Sequence, residues 1–311
     1  MSFYKGIKMV NCALKFYAKM IKIKNIVAIA IFTILVYACS DNNTGVIVDD
    51  YDHEAQALID KDSLIEFLKN NYYDTTVDSL KTLVPGQTAI YNDPKLETVN
   101  VSFDDIDYLM YVYVKDEGNP VPAKSNPTIL DSILVNYHLG YFKDSLDYIP
   151  VQKLETATWF NPASIAVEGW LHGFTYFKGG ENITNNGPIT YQGGGNGIIF
   201  IPSGLAYRNL GSGSLPSNAN LIYYVNLFDV VEGTDHDGDG IASFLEDVDG
   251  DGEPRNDDTD GDFIVNYIDA DDDGDGVLTK NEDANGDGNP ANDFNDPNNP
   301  TLADYLNPDI N

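Results

Sequence analysis

The sequence predicts an α+β domain, an antiparallel sheet with one short helix packed on one face, followed by an irregular tail of acidic loop repeats. Three observations carry this reading. Stretches of period-two hydrophobicity, separated by Gly, Pro and Asn turns, fill the middle of the chain. One amphipathic segment of helical period interrupts them. Beyond residue 232 the apolar content collapses, and carboxylates recur at a regular interval.

The charge follows the same division. Residues 1–40 hold six Lys and no acid, whereas residues 235–311 hold 24 acids against Arg255 and Lys280. With a net charge of −31 the protein repels nucleic acid, so no nucleic-acid partner is expected. An acidic tail suits a cation or a solvating role. Cys12 and Cys39 are the only cysteines, too few for a disulfide framework.

Residues 1–39 are expected to be a lipoprotein signal, with Met20 a possible true start. Lys22 and Lys24 precede an apolar run of about a dozen residues, shorter than the ~20 that a membrane span needs. The run ends in Ala38-Cys39-Ser40 and resembles a bacterial lipobox, although Tyr37 stands where a small residue is usual. That resemblance implies lipidation of Cys39 and a lipid-anchored protein of a Gram-negative envelope, on the outer membrane, facing the periplasm or the surface. An uncleaved anchor or a plain secretory signal is the alternative. Residues 40–50 read as a flexible tether.

Residues 51–104 are expected to form an N-terminal helical region. Ala55, Leu58, Ile59, Leu64, Ile65 and Leu68 recur at mostly helical spacing. Residues 105–232 form the α+β domain. "YLMYVYV" (108–114), "ILVNYHLGYF" (133–142), "GIIFIP" (197–202) and "NLIYYVNLFDVV" (220–231) read as strands. In "AVEGWLHGFTYFKGG", Val167, Trp170, Phe174 and Phe177 fall at intervals of three, four and three, one helical stripe closed by Gly179-Gly180. The loop of residues 201–221 is rich in Gly, Ser and Asn, yet Leu205, Tyr207, Leu210 and Leu215 interrupt it. Folded back over Trp170, these side chains would rim a shallow apolar bowl.

Four segments, "VNYHLG", "VEGWLHGF", "IPSGLAY" and "LPSNANLIYYVNLFDV", resemble in order and spacing the FKBP family of peptidyl-prolyl cis-trans isomerases, over residues 105–231. The resemblance implies a twisted antiparallel sheet wrapped around one short helix, with a proline pocket between them. It places Trp170 at the pocket floor and Tyr137 on its wall, and gives Val167 a backbone contact to substrate. Tyr207 becomes a hydrogen-bond donor on the lip, and Leu215 and Tyr223 complete the wall. Asp147 would take the place of the family's acidic residue, with Asp144 as the rival. Trp159 or Phe160 replaces the family's Phe-rich strand, and Arg208 stands where the lip tyrosine is usually followed by Gly. The partners implied are proline-containing client proteins, and catalysis would need no cofactor. A catalytically weak binding or chaperone module, or a calcium-dependent surface tether, is the alternative.

The tail, residues 233–311, carries its own chemistry. "DHDGDGIASFLE" puts Asp235, Asp237 and Asp239 at positions 1, 3 and 5 of a twelve-residue calcium loop. Gly240 falls at 6, Ile241 at the backbone-ligand position 7 and Glu246 at 12. "DDDGDGVLTKNE" repeats it with Asp271, Asp273, Asp275, Val277 and Glu282. Partial copies hold Asp247, Asp249 and Asp251; Asp258, Asp260 and Asp262, with Phe263 at position 6; and Asp283, Asn285 and Asp287. The spacing leaves no room for flanking helices and resembles thrombospondin type-3 repeats, so structural Ca²⁺ is expected. The tail is expected to fold separately, with the sheet domain keeping its melting temperature when calcium is removed.

Overall fold

A computed structural model describes residues 50–143, 147–162, 165 and 167–310. Six strands make the main sheet: β3 (Leu96–Phe103), β4 (Ile106–Asp116), β5 (Ser132–Phe142), β6 (Ile149–Phe160), β9 (Asn196–Ile201) and β10 (Asn220–Val231). Their spatial order is β3-β4-β9-β10-β5-β6, and every neighbouring pair is antiparallel. Helix α2 (Glu168–Phe174) covers one face. This architecture is consistent with the fold that the resemblance implies. Two short hairpins lie outside the sheet, β1 (Asn71–Asp74) with β2 (Ser79–Thr82), and β7 (Glu181–Asn182) with β8 (Tyr191–Gln192).

The alternation of side chains along a strand divides the apolar residues between two cores. Met110, Val112, Ile199, Ile201, Leu221 and Tyr223 point to the α2 side. Their sequence neighbours Tyr111, Tyr113, Ile198, Phe200 and Ile222 point to the other side, where helix α1 (His53–Asn70) covers them. Phe67 of α1 stacks on Phe142 at 4.5 Å between ring centroids. Both faces are buried, which explains why β9 and β10 read as nearly continuous apolar runs.

Helix α1 begins where the Asp52 carboxylate accepts a hydrogen bond from the Ala55 N–H at 2.8 Å, a conventional N-cap. Its buried face differs from the expected one. Leu58 and Ile59 are 61% and 58% exposed, and the buried stripe is Ala57, Asp60, Leu64, Phe67 and Leu68. Asp60 can be buried because its neighbours supply donors. Its Oδ2 accepts from the Ser203 N–H at 2.8 Å and the Ser203 hydroxyl at 2.6 Å, and its Oδ1 accepts from Gln56 Nε2 at 2.7 Å.

Other boundaries also move. The sheet starts at Leu96, inside the stretch expected to be helical, and α1 packs on the sheet. Helix α2 ends at Phe174, one turn short of the predicted stripe, although Phe177 remains fully buried. The tail does not form a separate unit either: Asp52–Asn311 is one compact unit.

Candidate functional site: an aromatic cluster clasped by an acidic tail

The α2 helix approaches the sheet closely because two of its residues lack side chains. A Cβ on Gly169 would lie 2.5 Å from Ile201 Cγ2, and one on Gly173 would lie 2.7 Å from Ile199 Cδ1. Close approach seats Trp170, 4% exposed, at the centre of a ring of aromatics. Phe160 and Phe174 meet the indole edge-on at 4.9 Å, Tyr137 edge-on at 5.8 Å, and Tyr223 lies tilted at 6.1 Å. Such pairings are the favoured geometries of aromatic quadrupoles. Val167, Leu215, Ile165 and Tyr207 pack into the same cluster.

Three phenols converge here. Burial, then the nearby Tyr207 and Tyr137 hydroxyls, pushes the Tyr223 phenol above its ordinary range; burial and then Tyr207 do the same to Tyr137. Tyr137 and Tyr223 therefore stay neutral hydrogen-bond donors at any physiological pH. The cluster is apolar and largely buried.

The lip is held from below. A 3₁₀ turn, Ser203–Leu205, is tied to α1 by Asp60, so the N-terminal helix fixes the segment leading to Tyr207. Arg208 follows at φ 50°, the left-handed region where glycine carries no penalty. Its guanidinium compensates by pairing with Asp104 and lying over the Phe103 ring at 4.9 Å. Leu205 and Leu215 turn inward, whereas Leu210 projects from the lip at 88% exposure.

Of the residues expected at the site, Tyr137, Val167, Trp170, Tyr207, Leu215 and Tyr223 share one cluster. Asp147 is exposed, and the adjacent Tyr148 packs on the opposite face of the sheet against Tyr224. Asp144 and Cys39 lie outside the described residues. The structure also selects Phe160, since Trp159 is 47% exposed. Phe174 was legible as part of the helical stripe; Asp60 gave no signal at all.

The tail repeats one backbone turn. The carboxylate at position 1 accepts from the N–H groups at positions 4 and 6: Asp235 from Gly238 and Gly240, Asp247 from Gly250 and Gly252, Asp258 from Gly261 and Phe263, Asp283 from Gly286 and Gly288. The residue at position 5 accepts from position 7 in all five copies, with Asp239, Asp251, Asp262, Asp275 and Asp287 as acceptors. Phe263 adopts φ 78° to preserve this turn without glycine.

The turns gather carboxylates. Asp235, Asp237 and Asp239 place ligand atoms within 4.8 Å of one another, as do Asp258, Asp260 and Asp262. In the second copy the third group is Asp257, while Asp251 accepts from Asn256 instead. Asn285 is bound to Asn292, and Asp271, Asp273 and Asp275 crowd Glu282. Burial first, then that crowding, pushes Glu282 up to about 8; burial, then Asp239 and Asp272, pushes Glu246 up to about 10. Both oxygens of Glu246 and of Glu282 are buried without a hydrogen-bond partner. An uncompensated buried charge is too costly to persist, and a hard divalent cation among these oxygens removes the cost. The donor set fits Ca²⁺, which takes six to eight oxygens.

The tail docks on α2. Arg255 forms a two-pronged contact to Glu168, with Nη1 donating to Oε2 at 2.9 Å, and it also pairs with Glu253. His172 lies 3.1 Å from Glu168 Oε1. Tyr267 packs with Ile129, Leu130 and Leu171, and His236 bridges Ser243 and Asn161 at 2.8 Å each. This contact joins the two parts: α2 carries Trp170 on one side and the tail on the other.

The Glu168 contact gives a pH test. Burial alone would raise its carboxyl, but His172 and Arg255 outweigh burial and hold it at about 2, below the usual 4.5. A depressed folded value stabilises above pH 4.5, and that contribution disappears as pH falls towards about 2. Glu168→Gln should therefore lower the melting temperature at pH 7, and the gap to wild type should close between pH 4.5 and 2. A gap that persists at pH 2 would remove charge from the account.

Comparison with known proteins gives matches of two kinds. Residues 236–308 match the family BamM C-terminal. No curated protein matches the chain. Among solved structures the chain is similar to a peptidyl-prolyl cis-trans isomerase of Pseudomonas syringae pv. tomato, at 15% identity over 58% of this chain and 97% of that one, with a TM-score of 0.35. It is also similar to FkpA from Escherichia coli, at 20% identity over 45% and 53%, with a TM-score of 0.32. The N-terminal domain of FKBP42 from Arabidopsis thaliana matches at 17% identity over 48% and 98%, with a TM-score of 0.32. Among the described residues no helix is long and apolar enough to cross a membrane.

Proposed function

We propose that this protein is an FKBP-type peptidyl-prolyl cis-trans isomerase of the bacterial cell envelope, carried on a calcium-binding tail and acting on proline-containing client proteins. The observation that carries the reading is the convergence of Tyr137, Tyr207 and Tyr223 on a Trp170-centred aromatic cluster. Resonance holds the prolyl amide planar behind a barrier of ~18–20 kcal/mol. That resonance is dipolar, so a water-poor aromatic site withdraws the solvation that favours the planar state. A phenol donor matched to the twisted amide lowers the barrier further, and each ~1.4 kcal/mol is a tenfold in rate. No nucleophile, metal or general base enters the reaction.

The test is isomerisation of a Xaa-Pro peptide by the full chain. Wild type should accelerate it, and Tyr207→Phe should lower kcat/KM about tenfold, the worth of one hydrogen bond made in the transition state. A wild-type rate equal to the spontaneous one would reject the enzyme reading. Two observations favour a second reading, a binding module of the same fold: Trp170 is only 4% exposed, and Arg208 pins the lip to Asp104. That module would bind proline peptides without turnover.

The envelope assignment rests on the lipobox-like ending at Cys39. Cys39→Ser should move the protein from the membrane fraction to the soluble envelope fraction. A variant that remains membrane-bound would end the lipid-anchor proposal.

A further inference from the structure

The twelve-residue loop pattern treats each repeat as its own ion site, closed by its own position-12 glutamate. The structure joins two repeats that are distant in sequence. Asp239 and Glu246 of the first repeat meet Asp272 of the fourth, with ligand oxygens of all three within 4.8 Å of one another. Asp272 belongs to no loop-ligand position of the motif. It occupies position 2 of its repeat, where a side chain is ordinarily free to face solvent.

All three carboxylates are interior, at 1%, 0% and 2% exposure for Asp239, Glu246 and Asp272. Hydrogen bonds use up one oxygen of each Asp and leave the other. Asp239 Oδ1 accepts from the Ile241 N–H at 2.8 Å, and Asp272 Oδ2 accepts from the Thr279 hydroxyl at 2.9 Å. Asp239 Oδ2, Asp272 Oδ1 and both Glu246 oxygens remain buried and unpartnered. No base compensates them. Arg255, one of only two in the tail, is committed to Glu168 and Glu253, and Lys280 forms no ion pair among the described residues. Four buried oxygens from three acids, each second oxygen pinned where it has one, form a cage that only a cation satisfies.

We infer that Asp239, Glu246 and Asp272 hold one buried divalent cation that closes the tail by joining its first repeat to its fourth. The proposal rests on reading the tail as a calcium fold and adds a ligand and a site to it. Calcium is the class expected. Side chains so deeply buried admit little water, and magnesium keeps several waters in a strict octahedron, whereas calcium accepts a crowded carboxylate set. Tyr305 marks the site. It is 4% exposed, packs with Ile241 beside Asp239, and lies close enough to be influenced by Asp272, Glu246 and Asp239.

The experiment uses the full chain and counts bound calcium by native mass spectrometry in wild type, Asp272→Asn and Asp258→Asn. Asp272→Asn should bind one ion fewer than wild type. Asp258→Asn should lose a different ion, that of the third loop. In parallel, terbium loaded in place of calcium should emit on tyrosine excitation, and Tyr305→Phe should lower that emission while leaving the ion count unchanged. An Asp272→Asn protein with the full count would overturn the joining site while the loop sites stand. Loss in Asp272→Asn without loss in Asp258→Asn would support the joining site and reject the loop-by-loop reading. Wild type that binds no calcium overturns both. If Asp272→Asn does not fold, the terbium arm decides, and emission undiminished in Tyr305→Phe rejects the site.

Discussion

Chelating calcium from the full chain should lower its melting temperature by about 10 °C for each ion held at a thousandfold over its dissociation constant. One such ion is worth ~4 kcal/mol, and ~1 kcal/mol moves the midpoint of a domain this size by ~2–4 °C. Few apolar residues are buried in the tail, Ile241, Tyr267, Ala303 and Tyr305 among them, so ion binding must supply most of its stability. The fall should extend to the sheet domain. Tyr267 covers Leu171, Ile129 and Leu130, and Arg255 neutralises the buried Glu168 at the start of the Trp170 helix. A tail that loses its ions withdraws both contacts. Calorimetry with and without chelator, with near-UV circular dichroism following the aromatic cluster, measures the coupling. A sheet domain whose transition does not move on chelation would sever it, and the tail would then be a passenger.

Trp170→Ala should destabilise the chain by ~3–5 kcal/mol, the usual cost of removing a large aromatic from a core. The indole touches Tyr137, Phe160, Phe174 and Tyr223, and none of these can move inward without leaving its own strand or helix position. A urea series should show a lower midpoint with an unchanged slope. The milder Trp170→Phe should retain the fold, which allows isomerisation to be measured apart from stability. The expected result there is a larger loss of kcat/KM than for Tyr207→Phe. A Trp170→Ala cost below ~1 kcal/mol would mean that the cluster is looser than its geometry implies.

Local chemistry was legible because it depends on near neighbours in sequence. Short apolar runs bounded by turn residues marked β4, β5, β9 and β10, and the Val167–Trp170–Phe174 intervals marked α2. Asp and Gly at fixed positions marked each tail turn, since position 1 binds the N–H groups three and five residues on. The same locality explains what could not be read. Trp159 and Phe160 are indistinguishable until β6 pairs with β5; Phe160 then falls opposite Ile133, on the α2 face, and Trp159 falls on the other. Leu58 and Ile59 read as part of the helical apolar stripe and Asp60 gave no signal, because hydrophobicity ranks side chains by their own preference. A carboxylate's burial depends on donors that another segment brings, and Ser203 lies far from Asp60 in the sequence. Asp272 is the same case in the tail: on the page it is one acid in a run of three, and only the fold sets it beside Glu246. The sequence by itself determined which turns, strands and aromatic residues would exist. Tertiary structure alone decided which charges lie in the interior, because the free energy of a buried charge belongs to the partners around it and not to the residue.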